Sequence, residues 1–249
     1  MNPSGVREAT ILRHARTDTA ATSHEGQRRT MVEEQLAPRG ITDPRVLAAM
    51  GAVPRHLFVE SALADRAYED RALPIGERQT ISQPYIVALM SQALGLTGAE
   101  RVLEVGTGSG YQAAILARLA ARVFTVERVK GLADRARATF DRLKVYDVVI
   151  KHFDGTFGWP DEAPFDAIMV TAGSPAVPEP LIAQLKEGGR LVAPVGDRNG
   201  QRLQRVVKRG GALHVMPLTD CAFVPLIGSY GWRTDHGTPP DPAVRDAAR

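Results

Sequence analysis

Apolar positions recur at helical spacing in the first part of the chain, then gather into short runs beyond residue 98. The spacing suits short helices over 28–37 and 43–50, parted by Pro38-Arg39-Gly40. Asp43-Pro44 opens the second helix and Gly51-Ala52-Val53-Pro54 ends it. A third helix is predicted over 83–96, with Ser82 as candidate N-cap, Pro84 in the first turn and Gly95 and Gly98 at the exit. From 101 onward, apolar strand-like runs at 101–105, 122–126, 148–152, 165–170 and 190–195 alternate with helical stretches at 111–119, 130–143 and 180–185. That alternation predicts an α/β fold with a mainly parallel sheet covered on both faces. The closing runs at 202–208, 213–217 and 222–226 have no helices between them, so this edge is expected to be antiparallel.

Composition narrows the class. A chain of 249 residues, 44% hydrophobic and 24% charged, can bury a full core. Its formal charge of +3 is small, and Lys and Arg are scattered among acids, with clusters no longer than Arg28-Arg29 or Lys208-Arg209. A dedicated nucleic-acid binder concentrates its basic residues on one face. Cys221 is the only cysteine, which excludes an internal disulfide framework. Arg7, Glu8, Arg13, His14 and Arg16 interrupt the N-terminal stretch, so no signal-peptide apolar region is expected, and no apolar run approaches a membrane span. The expectation is a cytoplasmic monomer that engages neither nucleic acid nor membrane. Residues 1–27 are expected to form a flexible extension and 233–249 a disordered tail. A single domain over 28–232 divides into helices and a loop region (28–98) and a sheet core (99–232).

The stretch Val102-Leu103-Glu104-Val105-Gly106-Thr107-Gly108-Ser109-Gly110 carries the chemistry. An apolar strand runs into three glycines at alternate positions and then into a helix, where open α/β sheets bind ligands. Tyr111 stands where a dinucleotide fingerprint has its third glycine. Tyr111-Gln112 also replaces the Lys and Ser or Thr of a phosphate-binding loop. The turn therefore suits a nucleoside without a phosphate linkage. Glu127 ends the next strand, roughly 20 residues past the first glycine, where a carboxylate accepts hydrogen bonds from ribose hydroxyls. Asp154-Gly155 follows the third strand in the corresponding place. Its side chain either reaches the base amino group or serves a turn.

These residues resemble class I S-adenosylmethionine methyltransferases, and specifically the protein-L-isoaspartate O-methyltransferase family. The resemblance extends in order through Met31-Val32-Glu33-Glu34-Gln35-Leu36, Val53-Pro54-Arg55-His56-Leu57-Phe58-Val59, Ala72-Leu73-Pro74-Ile75-Gly76 and Gln79-Thr80-Ile81-Ser82-Gln83-Pro84-Tyr85. It continues over 102–111 and closes on Phe223-Val224-Pro225-Leu226. The Thr-Ile-Ser-Gln-Pro segment is the most specific part, because general methyltransferases lack it.

The resemblance implies a Rossmann-like methyltransferase fold: a doubly wound, mainly parallel seven-stranded sheet with N-terminal helices and an antiparallel C-terminal edge. It implies methyl transfer from S-adenosylmethionine to the free carboxylate of isoaspartyl residues in damaged proteins, starting repair through a succinimide. Cofactor contacts are expected from Thr80, Ile81, Ser82, Gln83, Glu104, Gly106, Thr107, Gly108, Ser109, Gly110, Glu127, Asp154 and Gly155. Ser82 is the expected catalytic residue, donating a hydrogen bond to the acceptor carboxylate, and Val224, Pro225 and Leu226 are expected to receive the substrate peptide. No metal is expected. A carboxylate with a pKa near 4 is already ionised, so the reaction asks for no general base. His56 is read as a packing or capping residue and not a base. Two rivals stand beside this reading: a methyltransferase of the same fold with another acceptor, and a binding module that keeps the pocket without turnover.

Overall fold

The computed structural model describes residues 23–233. Most of the expected N-terminal extension (1–27) and C-terminal tail (233–249) lies outside these residues. Helix α1 (His24–Thr30) starts ahead of the predicted position, because the Ser23 hydroxyl caps it by accepting from the Gly26 N–H at 3.1 Å. The predicted helix over 28–37 is not one α-helix. It widens into a π turn at Met31–Leu36 and tightens into a 3-10 turn at Ala37–Arg39, where Pro38 has no N–H to continue the ladder. Helix α2 (Pro44–Ala52) is capped by Asp43, as expected. A small hairpin of β1 (Leu73–Pro74) and β2 (Thr80–Ile81) then leads into α3 (Pro84–Leu94).

The main sheet comprises β3 (Arg101–Val105), β4 (Arg122–Glu127), β5 (Val148–His152), β6 (Phe165–Val170), β7 (Leu185–Gly196), β8 (Gln201–Arg209) and β9 (Ala212–Cys221). Its spatial order is β5-β4-β3-β6-β7-β8-β9. The first five strands in that order pair in parallel, and β8 and β9 add antiparallel. The connecting helices are α4 (Tyr111–Leu116), α5 (Lys130–Leu143) and α6 (Glu179–Gln184). The chain winds outward from β3 to β5 and returns through β6, so the winding reverses between β3 and β6. Ligands bind at such a switch, beyond the carboxyl ends of the strands.

Alternate strand residues face opposite ways. Val102, Val123, Ala167, Met169 and Val192 pack with the N-terminal helices, α4 and α5; Leu103, Val105, Phe124, Ile168, Val170 and Leu191 pack with Trp159, Phe165 and Leu181 on the other face. Strand β7 begins at Leu185, earlier than the predicted 190, through an irregular stretch in its pairing with β6. A further expectation fails. Residues 222–226 form no sheet strand, because the chain leaves the sheet after Cys221 and crosses above the strand ends. There Val224 and Leu226 clasp Gly173: the Gly173 N–H donates to the Val224 carbonyl and the Leu226 N–H to the Gly173 carbonyl, both at 2.8 Å. Pro225, which has no N–H, sits between the two bonded groups.

Candidate functional site

At the switch between β3 and β6 lies a cavity of about 880 Å³, counting its open mouth. Its floor is the turn from Gly106 to Ser109, where both glycines have positive φ (101° and 54°). A Cβ on Gly106 would overlap the Thr171 hydroxyl, which itself donates to the carbonyls of Val105 and Gly106 at 2.9 and 2.5 Å. Gly110 has a different reason to be glycine. It precedes α4 with φ 88°, and a Cβ there would stand 2.8 Å from the Phe140 ring.

Glu127 closes one side. It is nearly buried, and its two carboxylate oxygens accept from the N–H groups of Gly108 and Val129, each at 2.8 Å. Each oxygen keeps further acceptor capacity toward the cavity, as a ribose diol requires. Gly155 and Arg128 complete this side. The opposite wall is Gln79, Thr80, Ile81 and Ser82 with Val224, Pro225, Leu226 and Ile227. Beyond it, a second cavity of about 670 Å³ is lined by Ala72, Ile86, Cys221 and Phe223. Thr80, Ser82, Thr171 and Val224 belong to both cavities, so Ser82 stands where the two meet.

Four of the expected cofactor residues lie off the cavity. Gly110 is the packing glycine just described. Glu104 points away from the turn, fully buried, accepting from the Thr125 hydroxyl, which also meets the Thr107 hydroxyl at 2.7 Å. Burial pushes the Glu104 carboxyl up to about 8, opposed by the Thr125 hydrogen bond and reinforced by the negative charge of Glu127. Near neutral pH it is therefore a neutral acid beneath the turn. Asp154 is occupied by protein: one oxygen accepts from the N–H (2.9 Å) and hydroxyl (2.7 Å) of Thr156, the other from Ser229 N–H at 2.8 Å. It ties the C-terminal segment to the sheet. Gln83 donates its amide to Asp70, at 2.7 Å to the carboxylate and 3.0 Å to the backbone carbonyl.

Asp70 also settles the capping of α3. The N-cap is Gln83, without a side-chain cap of its own, and the Asp70 carboxylate accepts from the Tyr85 N–H at 3.1 Å. Ser82 is thus released from the capping role. Sequence reasoning missed Asp70 and Thr171, since each acts on a partner far along the chain. Two further reactive groups are His56 and, on the second cavity, Cys221. His56 stacks on His24 and lies 2.8 Å from the Tyr68 hydroxyl, and burial pushes the Cys221 thiol up to about 11. Among the described residues no cluster of three or more His, Cys, Asp or Glu is placed to hold a metal, and no helix is long and apolar enough to cross a membrane.

Comparison with known proteins gives the family. The model of the protein-L-isoaspartate(D-aspartate) O-methyltransferase family matches residues 26–231. The chain belongs to this family. Among curated relatives, the protein-L-isoaspartate O-methyltransferase of Desulfosudis oleivorans is 59% identical over 207 residues, covering 83% of this chain and 94% of its own. That of Syntrophus aciditrophicus is 57% identical over 209 residues, covering 83% and 96%. A solved protein-L-isoaspartate O-methyltransferase superposes with a TM-score of 0.75 at 32% identity, over 82% of this chain and 67% of that one. A Plasmodium falciparum beta-aspartate methyltransferase, solved with S-adenosyl-L-homocysteine, gives 0.70 at 28% identity, over 80% and 98%. The seven-stranded sheet with its antiparallel edge is the fold of this methyltransferase family, and the activity is S-adenosylmethionine-dependent.

Proposed function

We propose that this chain methylates the free α-carboxylate of isoaspartyl residues in proteins and peptides, with Ser82 orienting the acceptor. The observation that carries this reading is the place of Ser82, on the wall shared by the two cavities. S-adenosylmethionine, when bound, supplies an electrophilic methyl group on a sulfonium. Glu127 receives the ribose hydroxyls, the Gly106–Ser109 backbone lies along the nucleoside, and Gly155 borders the base. The donor set suits a nucleoside: a rim carboxylate with spare lone pairs, and close backbone with no Lys or Arg in the turn.

The acceptor peptide lies along Val224, Pro225 and Leu226, and its carboxylate takes a hydrogen bond from the Ser82 hydroxyl. That bond leaves the second oxygen facing the cofactor cavity. An acceptor with a pKa near 4 arrives ionised, so the chain supplies orientation and exclusion of water in place of a base. The unit responsible spans 28–232, and it works as a cytoplasmic monomer without nucleic acid or membrane. The backbone amide nitrogen of the following residue then attacks the ester carbonyl, methanol leaves, and the succinimide that forms opens the route to repair.

The test pairs an isoaspartyl peptide with its ordinary aspartyl twin and follows transfer of a labelled methyl group. Label is expected on the isoaspartyl peptide alone, as an alkali-labile ester. Equal labelling of the twins would defeat the specificity, and uptake of the donor without any transfer would leave only a binding module. Ser82→Ala is expected to lower kcat about tenfold, the worth of one hydrogen bond to a charged group, with S-adenosylhomocysteine affinity unchanged. A parental rate in that variant would remove Ser82 from the mechanism.

A further inference from the structure

Arg55 is among the largest side chains in the fully buried core, at 0% exposure, and among the described residues no carboxylate is hydrogen-bonded to it. Its Nε donates to the Ala67 carbonyl at 2.6 Å and its Nη2 to the Ser82 carbonyl at 2.7 Å. Its Nη1 has no partner among the described residues, and the guanidinium carbon lies 4.9 Å from the centre of the Tyr111 ring. Burial pushes the group down to about 10, against the raising influence of Tyr111, Tyr68 and Asp70. Taking a cation out of water is expensive, and an apolar side chain of similar volume often fills such a site with no loss. What an apolar side chain cannot do is hold the carbonyl of Ser82.

That carbonyl belongs to a segment with little remaining freedom. Gln83 is followed by Pro84, which confines it to extended backbone (φ −49°, ψ 135°), and its side chain is tied to Asp70. Fixing the oxygen of the Ser82–Gln83 peptide plane places the Ser82 Cα, and the pairing of Ile81 with Leu73 holds the chain on its other side; together they restrict where the Ser82 Cα–Cβ bond points. The same guanidinium rests on Tyr111, the first residue of α4 after the glycine turn. We propose that Arg55 is a positioning residue for methyl transfer, aiming the Ser82 hydroxyl at the junction of the two cavities by holding the Ser82 carbonyl. The inference rests on the reading that Ser82 orients the acceptor.

Two variants separate this role from core filling. Arg55→Lys keeps the charge and loses the fork that reaches two carbonyls at once; Arg55→Met keeps the bulk and loses both hydrogen bonds. Each is made alone and with Ser82→Ala, and kcat and KM for an isoaspartyl peptide are measured beside S-adenosylhomocysteine affinity by calorimetry. Either substitution alone is expected to lower kcat about tenfold, with ligand affinity held within about twofold. In the Ser82→Ala background it is expected to lower kcat no further, because its only route to the reaction is gone. Full multiplication of the two losses would overturn the inference, as would ligand affinity falling in step with kcat. A parental kcat in both folded single variants would overturn it too, and failure of both to fold would assign Arg55 to stability alone. A fast Ser82→Ala enzyme is a separate result: it sinks the reading of Ser82 on which the inference stands.

Discussion

One wall of the pocket comes from consecutive residues, and the other from residues brought together across the chain. On the cofactor side, Gly106, Thr107, Gly108 and Ser109 leave β3, and Glu127 ends the neighbouring β4, which pairs with β3 residue for residue. On the acceptor side, Ser82 is held by Arg55 and the residues after it, Gln83 and Tyr85, by Asp70, while Val224 and Leu226 are held by Gly173. Regular strands fix the first wall through the sheet itself. The second has almost no regular structure and depends on a few long-range hydrogen bonds. The first wall should therefore respond to substitution through cofactor affinity, the second through the acceptor.

The largest effect is expected at Gly106. Its positive φ and the overlap with the Thr171 hydroxyl make Gly106→Val costly by about 3 kcal/mol or more. That is over 100-fold in S-adenosylhomocysteine affinity, read by calorimetry on protein whose circular dichroism is parental (about 1.4 kcal/mol per tenfold). Retained affinity would show that this wall is not fixed by the turn.

Glu104 tests the same wall from beneath. Its folded pKa of about 8 exceeds the ordinary carboxylate value, so the folded protein holds this proton more tightly than the unfolded chain. The stability this lends is complete at low pH and lost as pH rises through about 8, over a window opening near pH 4.5. Glu104→Gln, which cannot ionise, should flatten that decline, a difference on the order of a few kcal/mol between about pH 5 and about pH 9. Thermal midpoints measured at both pH values decide it, and parallel curves for the two proteins would rule it out.

A smaller change is expected at Glu127. Loss of its hydrogen bonds in Glu127→Ala should weaken S-adenosylhomocysteine by about 1.5–3 kcal/mol, roughly 10- to 100-fold. With the donor saturating, kcat should stay near parental. A fall in kcat there would blur the division between the walls.

The same division governs what could be read in the sequence. The predicted strands at 101–105, 148–152 and 165–170 and the helix at 130–143 coincide with β3, β5, β6 and α5, because each carries its own apolar period and its own stops. The glycine turn was equally legible, since its residues are neighbours in the chain. Which contacts Glu104 and Asp154 make was not legible, for a physical reason. A residue's position near a turn does not say which way its carboxylate points, and both turn to partners in the protein. Ser82 could not be separated from a cap while Asp70 was out of view, and 222–226 looked like one more strand until Gly173 gave it another partner. Arg55 carried no signal beyond its place in a motif, because its bonds span 12 and 27 residues.

Asp70 gives the subtlest test of the acceptor wall. Its carboxylate accepts from the Tyr85 N–H and the Gln83 amide and pairs with Arg39, so it caps α3 from outside the helix and anchors the residue after Ser82. Removing a helix cap costs about 1 kcal/mol, which for a protein of this size lowers the melting temperature by roughly 2–4 °C. Asp70→Ala should therefore lose a few degrees and raise KM for an isoaspartyl peptide, with S-adenosylhomocysteine affinity as in the parent. Asp70→Asn keeps an acceptor for the Tyr85 N–H and should recover most of the stability. If KM recovers with it, the cap alone holds the acceptor loop in place. If KM stays high while the melting temperature returns, the charge of Asp70 acts on the acceptor side directly. If Asp70→Ala instead weakens S-adenosylhomocysteine, the two walls are not mechanically separate, because α3 also contributes Val87 and Met90 to the cofactor cavity.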